Sequence, residues 1–562
     1  MKKIRDYLYR LPAYLLWALF AALLVLAVFQ GATDTERARK ITLMINVPEV
    51  DEKGAMRYLK ELMQDAGLEM IKVRSFSYAL FLEASLKEAD IWIVKESDIE
   101  QFLPDFGPVA GFREGHPTYH YWQGENPDIW GMRVYEAAGD RGILQAYVNY
   151  ASSGEKEDYY MFFNPASLHI GAGENDEEAF RLAEKLMDSE MKSPFIKGMD
   201  ASIVPALEAG GVKYFNFKGE EQDVFEILAE AGLNAIRVRV WNHPFDEAGR
   251  GFGGGNCDIE TALSIGRRAA AAGLSLLVDF HYSDFWADPG KQMAPRAWGK
   301  MDLPEKADAL YQYTRDSLLL LKEAGIPVSM VQIGNETNGA MAGEKNWENM
   351  AQLMKAGSRA VREVLPGARI ALHFTNPEKT GSYRYYGEQL ERCGVDYDVF
   401  GTSYYPVWHG SMENLAAALN EVAGRWGKQT AILETAYPYT LQDSDFNGNL
   451  IQEGTKGIAR PYPFTLDGQQ SFLKDMLDLC QNKLQNCVGL FYWEGCWISA
   501  GGESRKENQA LWEQYGSGWA SSYAGIYDPQ DAGKYYGGCA VDNQALFDEK
   551  GHPLEALKLF GP

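Results

Sequence analysis

The sequence predicts a (β/α)8 barrel, preceded by a smaller α/β domain and an N-terminal transmembrane helix. From Ser193 onward, eight strand-like apolar segments alternate with helical ones. Glycine follows three of the helical segments, at Gly232, Gly273 and Gly325, and supplies the left-handed residue that commonly ends a helix. In such a barrel the carboxyl ends of all strands meet at one face. The eight strands are expected to end near Asp200, Trp241, His281, Glu336, Phe374, Tyr404, Glu434 and Trp493.

The length and composition exclude several classes of function. A chain of 562 residues is long for one domain and favours two or three. Its formal charge of −24 argues against a nucleic-acid partner, because phosphate binding needs clustered cations. An aromatic content of 13 % suits a site for neutral sugars, whose faces stack on rings, although any single tryptophan can equally be core. The six cysteines have no metal-ligand spacing, and no protein partner is indicated.

Residues 1–32 predict a membrane anchor. Four basic residues occupy the first ten positions, and residues 11–29 then contain no charge. Nineteen such residues are enough to span a bilayer, with the basic flank held inside. A cleaved signal peptide shares this pattern and is the alternative, in which case the protein is secreted. Since no small-x-small site follows the apolar run, we expect an uncleaved anchor and a chain on the extracellular face of the membrane.

Residues 33–190 read as a separate α/β domain. The alternation of strands and helices predicts a mostly parallel sheet, and a helix is expected over residues 176–187. The stretch 89–98 is loosely similar to extracellular solute-binding proteins. No catalytic constellation is evident, so a spacer or docking role is expected. The predicted strands are Ile41–Val47, Met70–Val73, Ile91–Val94, Tyr159–Phe163 and Leu168–Ile170.

Two glutamates stand where strands of the barrel end. Glu336 closes the run 331–336, and Glu434 closes the run 430–434. Because the carboxyl ends of barrel strands converge, these side chains are expected to meet although 98 residues separate them. Two convergent carboxylates are what glycoside hydrolysis requires, one as proton donor and the other as nucleophile or base. Residues 191–562 are therefore expected to form a glycosidase domain.

Strand two places Arg237 and Arg239 on one face, which in a barrel is the interior. A buried arginine beside a glutamate keeps that glutamate ionised, as a nucleophile must be. Purely structural pairing with a barrel acid is the alternative for either arginine. After strand three, His281 and Trp286 lie in a stretch of aromatic and acidic side chains of the kinds that bind sugars. No histidine spacing indicates a zinc site.

The remaining strand ends supply candidates for sugar binding. Asn335, directly before Glu336, can hydrogen-bond a substrate hydroxyl. Trp493 is the candidate platform beneath the sugar at the cleavage point. Glu494, next to it, is a third carboxylate and a rival for either catalytic role. Strand six adds Tyr404 and Trp408.

In these features the chain resembles the retaining glycosidases of clan A, and more narrowly the endo-β-1,4-galactanases of glycoside hydrolase family 53. The resemblance covers roughly residues 194–560 and omits the first 190. The matching segments are Phe195–Ser202, Arg237–Pro244, His281–Gln292, Ile333–Thr337, Ser403–Gly410 and Asp542–Asp548.

The resemblance implies cleavage of internal β-1,4-galactosyl bonds in galactan and type I arabinogalactan, with retention of configuration. It implies Glu336 as general acid/base and Glu434 as nucleophile, with carboxyl groups about 5–5.5 Å apart. A clan relative acting on mannan or glucan is the alternative, and so is a surface receptor that binds glycan without cleaving it. The residues it implies for substrate support are Arg237, His281, Asn335, Tyr404 and Trp493.

An acidic loop follows strand seven. Residues 443–449 place oxygen-bearing side chains at alternate positions, as in the first half of a calcium-binding loop, although Gly454 stands where the final glutamate would be. An Asp/Asn-rich turn is the alternative. The family resemblance implies a structural calcium here. It also implies that a second segment, residues 539–542 of this chain, completes the calcium site. Its expected ligands are Asp443, Asp445, Asn447, Asn449 and Asp542, whereas Cys539 replaces a serine.

Overall fold

A computed structural model describes residues 39–561 apart from 65, 67, 76–88, 110, 117–118, 138–140, 154–155, 172–176, 189–194 and 503. Its internal contacts divide the chain into two compact units, Met1–Ser193 and Pro194–Pro562. The predicted anchor at residues 1–32 lies outside the described residues. Within the described part, no helix is both long enough and apolar enough to cross a membrane.

The first unit is built on one mixed sheet. Its strand order is β2-β1-β3-β7-β5-β4, with β6 paired to β5. Its longer helices are α1 (Glu52–Leu62) and α2 (Glu178–Leu186), with single turns at Ile99–Phe102 and Phe112–Gly115. The strands are β1 (Lys40–Ile45), β2 (Met70–Ser75), β3 (Ile91–Lys95), β4 (Tyr121–Gln123), β5 (Trp130–Glu136), β6 (Arg141–Gly142) and β7 (Tyr159–Phe163).

The expectation of a mostly parallel sheet was wrong. Among the described strands of this unit, only the pairings of β1 with β2 and β3 are parallel. β7 pairs antiparallel with β3 and β5, and β4 and β6 pair antiparallel with β5. The β4–β5 pair is a hairpin, and its connection includes Gly124 and Pro127, which suit a turn. Short hairpin connections join antiparallel strands, so no crossover helix separates them.

The predicted strand at Leu168–Ile170 is a turn. The Ser167 hydroxyl accepts the backbone N–H of His169, and Leu168 is 45 % exposed. Local side-chain hydrogen bonds of this kind compete with a strand ladder, so the short apolar run forms no strand.

The second unit is a closed barrel of eight parallel strands, and the barrel prediction is confirmed. Every predicted strand end lies within three residues of the observed one. The strands are β8 (Ile196–Asp200), β9 (Ala235–Val240), β10 (Ser275–Phe280), β11 (Val328–Ile333), β12 (Arg369–Phe374), β13 (Val399–Ser403), β14 (Gln429–Thr435) and β15 (Cys487–Tyr492).

Helices cover the outside of the barrel in alternation with these strands. α6 begins with a capping box in which Asp302 and Glu305 satisfy each other's backbone N–H groups. The helices are α3 (Val204–Ala209), α4 (Val224–Glu230), α5 (Ile259–Ala271), α6 (Leu303–Glu323), α7 (Trp347–Val364), α8 (Ser382–Cys393), α9 (Met412–Trp426), α10 (Leu466–Asp478) and α11 (Arg505–Tyr515), with one further turn at Ala532–Tyr535.

The interior of the barrel is apolar at one end and charged at the other. An apolar cluster that includes Ile196, Leu277 and Phe491 fills the end where the strands begin. Gly198 leaves room for the Phe491 ring, since a Cβ there would lie 2.2 Å from its Cδ1 atom. Polar residues, among them Asp200, are buried toward the carboxyl ends. The packed base therefore supports a polar site at the opposite face.

Candidate active site

The two glutamates lie at the carboxyl-terminal face, just after β11 and at the end of β14. Glu434 is the penultimate residue of β14 and is 7 % exposed. Glu336 follows β11 by three residues, is partly exposed, and adopts a left-handed backbone conformation with φ of 48°. Non-glycine residues in this region are strained and concentrate at functional sites. The chain thus turns sharply where it presents Glu336.

Glu434 is held by one cation and one phenol. Its Oε1 atom lies 2.8 Å from the Arg237 guanidinium, and its Oε2 atom accepts a 3.0 Å hydrogen bond from the Tyr405 hydroxyl. Burial raises the pKa of Glu434, and the positive charge of Arg237 opposes that rise. The contacts with Arg237 and Tyr405 favour the ionised form of Glu434 against the effect of burial.

Glu336 has a different environment. Its Oε1 atom accepts a 2.6 Å hydrogen bond from the Ser403 hydroxyl. Burial, and then the charge of Glu434, raise the pKa of Glu336 to about 8. Two nearby carboxyl groups with different surroundings separate into a proton donor and an anion. Glu336 is therefore the group that holds a proton at neutral pH.

Arg237 links the site to the barrel interior. Besides Glu434 it contacts Asp200 at 2.7 Å, Asp279 at 2.8 Å and the Asn335 Oδ1 atom at 3.0 Å. Its side chain is fully buried. A guanidinium that donates in several fixed directions orients every group it contacts.

Arg239 serves a second buried cluster. It pairs with Asp200 at 3.0 Å and with Glu494 at 2.5 Å. The Glu494 side chain is fully buried, and burial raises the pKa of Glu494 to about 8. Glu494 is therefore not placed to reach a substrate, and the rivalry with Glu336 and Glu434 is resolved against it.

His281 is buried beneath the site. Its Nδ1 atom accepts the Trp241 indole N–H and the Ala287 backbone N–H, both at 3.1 Å. The ring proton therefore resides on Nε2, which donates to Asp279 at 3.0 Å. With 1 % of its surface exposed, His281 holds Asp279 and, through it, Arg237. The expectation that His281 itself meets substrate is not met.

Asn335 and three tryptophans lie at the site. The Asn335 amide nitrogen donates one N–H to the Ala287 carbonyl at 2.8 Å, which leaves its second N–H for a ligand. Trp286 and Trp493 lie 6.3 Å apart between ring centres and are partly exposed. Trp408 is 40 % exposed and packs on Tyr405 at 5.8 Å. Trp408 and Trp493 both pack against Tyr405, which holds Glu434.

The prediction that Tyr404 supports substrate binding was wrong. Its side chain is 1 % exposed, and its hydroxyl donates to the Gly410 carbonyl at 2.9 Å. The neighbouring Tyr405 donates to Glu434 instead. β13 ends at Ser403, so strand alternation does not determine which way either tyrosine side chain points.

Sequence reasoning also missed His373 and Ser403. His373 lies on β12 and Ser403 ends β13, and both are fully buried. Their Nε2 and Oγ atoms are 2.9 Å apart, and Ser403 reaches Glu336. A polar residue within a buried barrel strand was the available signal, as it was for Arg237.

The acidic loop brings three carboxyl groups together. Oxygen atoms of Asp443, Asp445 and Asp542 lie within 4.8 Å of one another, and the last two residues are buried. The Asn449 amide donates to Asp542 at 2.7 Å. Burial, and then the charge of Asp542, raise the pKa of Asp445 to about 7. Asn447 instead donates to the Gly538 carbonyl at 3.3 Å.

Backbone N–H groups also cap these carboxylates. Ser444 donates to Asp542 at 3.0 Å, Asn447 to Asp445 at 2.9 Å, and Cys539 to Asp445 at 2.6 Å. The loop between β14 and α10 is thereby joined to residues 538–542.

A family model decides the identity of the barrel unit. The model described as glycosyl hydrolase family 53 matches residues 196–560. The chain belongs to glycosyl hydrolase family 53. The matched residues contain both glutamates and every barrel strand, so the site described above is the active-site region of a family 53 glycoside hydrolase.

Named relatives and solved structures agree with this membership. A Bacillus subtilis strain 168 protein named endo-β-1,4-galactanase is 51 % identical over 371 residues, covering 66 % of this chain and 86 % of the relative. A Cellvibrio japonicus protein named arabinogalactan endo-β-1,4-galactanase is 33 % identical over 344 residues, with 59 % and 86 % coverage. The Ignisphaera aggregans family 53 catalytic domain matches with a TM-score of 0.57 at 35 % identity, covering 65 % of this chain and 95 % of that one.

Proposed function

We propose that the chain is an endo-β-1,4-galactanase that cleaves galactan and type I arabinogalactan with retention of configuration. The observation that carries the proposal is the unequal pair of carboxyl groups at the barrel face. Glu434 is bound by Arg237, whereas Glu336 keeps a proton with a pKa of about 8. A 51 % identical relative is named as an endo-β-1,4-galactanase, which supports galactan as the substrate.

In the first step the Glu434 carboxylate attacks the anomeric carbon as Glu336 gives its proton to the departing glycosidic oxygen. A galactosyl ester of Glu434 forms, and the shortened chain leaves. Arg237 and Tyr405 hold the attacking carboxylate in one orientation through its two oxygens. In the second step Glu336, now ionised, takes a proton from water, and that water displaces Glu434 from the sugar.

The substrate is held by rings and one amide. Trp493 and Trp286 offer apolar faces to the galactosyl units, and Trp408 extends this surface beyond Tyr405. The second N–H of Asn335 is available to a sugar hydroxyl. A hydrogen bond there that strengthens in the transition state would accelerate the reaction.

The test is reducing-sugar release by the full chain from linear β-1,4-galactan, with mannan and glucan alongside. We expect release from galactan, and losses of several orders of magnitude in Glu336→Ala and Glu434→Ala. Release from mannan or glucan alone would reassign the substrate within the clan. Binding of galactan without cleavage would make the barrel a receptor.

We also propose that calcium binds the acidic loop. The chemistry of the site fits a hard cation, because three carboxylates converge and carboxylate oxygens are preferred calcium ligands. The buried Asn449 Oδ1 atom has no hydrogen-bond partner among the described residues, as expected of an oxygen reserved for a metal. Asp443, Asp445, Asn449 and Asp542 would hold the ion. Asn447 faces the 537–538 segment and is the weakest of the five expected ligands.

For residues 1–32 we propose a membrane anchor that keeps the enzyme on the extracellular face, with residues 33–190 as a spacer or docking domain. The uncharged run at 11–29 behind a basic start supports the anchor. N-terminal sequencing of the protein from its native membrane tests it. A mature terminus near residue 33 would instead support secretion.

A further inference from the structure

A buried column of three side chains ends on Glu336. Gln332 on β11, His373 on β12 and Ser403 on β13 contribute one residue each, and all three are 0 % exposed. The Gln332 Nε2 atom lies 3.0 Å from His373 Nδ1, and His373 Nε2 lies 2.9 Å from Ser403 Oγ. Ser403 Oγ lies 2.6 Å from Glu336 Oε1. We call these three residues the Gln332–His373–Ser403 column.

The protonation of the column follows from a count of hydrogens. Burial, and the positive charge of Arg237, hold the pKa of His373 well below its usual range, so the ring is neutral and carries one N–H. Ser403 also has a single proton to donate. The Ser403 hydroxyl lies 2.6 Å from Glu336 Oε1 and donates to that oxygen. If Ser403 donates to Glu336, its oxygen must accept from His373 Nε2.

A second neighbour of His373 Nδ1 tests this assignment. Asn335 Oδ1 lies 2.8 Å away and could accept a proton from that nitrogen. However, the same oxygen already accepts from Arg237 and from Gln332, both at 3.0 Å, which occupies its two lone pairs. Gln332 Nε2 also lies 3.1 Å from the Gly334 carbonyl, so its two hydrogens are shared among three acceptors, of which His373 Nδ1 is one. The hydrogen bond from Ser403 to Glu336 assigns the ring proton to Nε2, which donates to Ser403.

We propose that His373 and Ser403 are positioning residues for the acid/base carboxyl, with every donor in the column aimed at Glu336. When Glu336 gives its proton to the glycosidic oxygen it becomes a carboxylate, and the hydrogen bond from Ser403 strengthens. Donors aligned in series polarise one another, so His373 increases the effect of Ser403. Stabilisation that grows with developing charge lowers the free energy of the transition state. The column itself transfers no proton.

Other titratable groups set the baseline from which this effect is measured. Glu434 and Asp288 face Glu336 and raise its pKa. Arg237 and His281 face His373. All four residues are unchanged in the variants below, so a shift in the pH profile reports on the column.

The test compares Ser403→Ala, His373→Ala and His373→Gln in the full chain, with kcat and KM for galactan measured across pH. Ser403→Ala should lower kcat by about 10- to 100-fold, the effect of losing a hydrogen bond to a charged group, with little change in KM. The alkaline limb should move to higher pH, because the carboxylate has lost its donor. His373→Ala should shift the limb in the same direction by less. His373→Gln retains an N–H that can reach Ser403 and should restore much of the activity.

The inference rests on the proposed role of Glu336, so Glu336→Ala is measured beside these variants on galactan and on a dinitrophenyl β-1,4-galactobioside, whose leaving group needs no proton. Loss of kcat/KM on galactan but not on the aryl substrate is the signature of a missing acid. If Glu336→Ala lacks this signature, the proposed function fails and the column proposal falls with it.

If Glu336→Ala has the signature, the sign of the Ser403→Ala shift decides. If the alkaline limb of Ser403→Ala moves to lower pH, the hydrogen bonds of the column run in the opposite direction. If Ser403→Ala loses equal activity on galactan and on the aryl substrate, the column has only a structural role. Either result overturns the proposal. Should His373→Ala fail to fold, the direction of the Ser403→Ala shift alone supports or overturns the proposal.

Discussion

Arg237 sets the difference between Glu434 and Glu336, the two carboxyl groups at the barrel face. It contacts Glu434 at 2.8 Å, whereas Glu336 accepts from the neutral Ser403 hydroxyl. Asp200 and Asp279 share the same guanidinium, so it is fixed at several points. A nucleophile kept ionised and an acid kept protonated are the two states that a retaining glycosidase needs at the start of a turnover.

The Tyr405 hydroxyl should matter for catalysis and the Tyr404 hydroxyl should not. Tyr405→Phe removes the hydrogen bond to Glu434, so kcat for galactan should fall by about 10- to 100-fold. The acid limb of the pH profile should move to higher pH, because that hydrogen bond favours the ionised carboxyl. Tyr404→Phe removes only the bond to Gly410 and serves as the matched control. Equal losses in both variants would contradict the assignment.

Glu336 should make the protein less stable as pH rises. Burial raises its pKa from 4.5 to about 8, so the folded chain keeps this proton to higher pH than the unfolded chain does. The free energy of unfolding therefore decreases as the pH rises from 4.5 to about 8. Glu336→Gln removes this penalty and should gain on the order of 1–2 kcal/mol at pH 8, less than full linkage because the group is partly exposed.

The gain should be absent at pH 4, where both states of the parent are protonated. Thermal melts of Glu336→Gln and parent at pH 4, 6 and 8 measure it. A stability difference that is the same at all three pH values would show that the pKa of Glu336 is not raised in the folded chain.

At this scale the sequence predicted the ends of strands better than the residues beyond them. Glu434 and Arg237 lie within strands, where position fixes the direction of a side chain. Tyr405 lies past the end of β13, so only the folded loop determines that it, and not Tyr404, meets Glu434. His281 was expected to contact substrate, but it accepts N–H groups from Ala287 in its own loop and from Trp241 directly after β9, and these hold the ring inward.

At the scale of elements, the loop between β14 and α10 depends for its conformation on contacts with residues 538–542. It brings Asp443 and Asp445 against Asp542, whose like charges repel unless a cation or protons intervene. Backbone N–H groups cap these carboxylates and join the loop to residues 538–542. The sequence predicts a calcium loop here because the spacing of its oxygen-bearing side chains is local. The partner segment, about ninety residues away, was expected only from the family resemblance.

Chelation should therefore destabilise the protein. Removing calcium with EDTA should lower Tm by a few degrees, and added calcium should restore it, because an ion that binds only the folded chain stabilises it by mass action. Asp445→Asn should melt at the same temperature with and without EDTA. An identical Tm for the parent in EDTA and in calcium would contradict the proposed site.

In the first unit, the sequence predicted the positions of strands better than the directions in which they pair. The strand at Tyr159–Phe163 was predicted within its observed bounds, yet its antiparallel pairing with β3 was not. A buried strand reads the same in either direction, so apolar runs locate strands without giving their orientation. The strands β4, β5 and β6 were not predicted, and β4 and β6 are only three and two residues long.

At the scale of the whole molecule, barrel closure brings together residues that are far apart in sequence. β15 pairs with β8, and Arg237 on β9 thereby lies beside Glu434 on β14. Eight regularly spaced apolar segments were enough to predict this closure, because few other folds use eight alternating strands and helices. The site follows from the closure, since one face receives every strand end.

Retaining hydrolysis of β-1,4-galactan by the full chain is most directly tested by the configuration of the first product. Proton NMR of galactan during the first minutes of digestion resolves the two anomers of the newly formed reducing ends. Double displacement through Glu434 predicts that the β-anomer appears first and that the α-anomer grows later by mutarotation. Initial formation of the α-anomer, or no new reducing ends from galactan, would contradict the account.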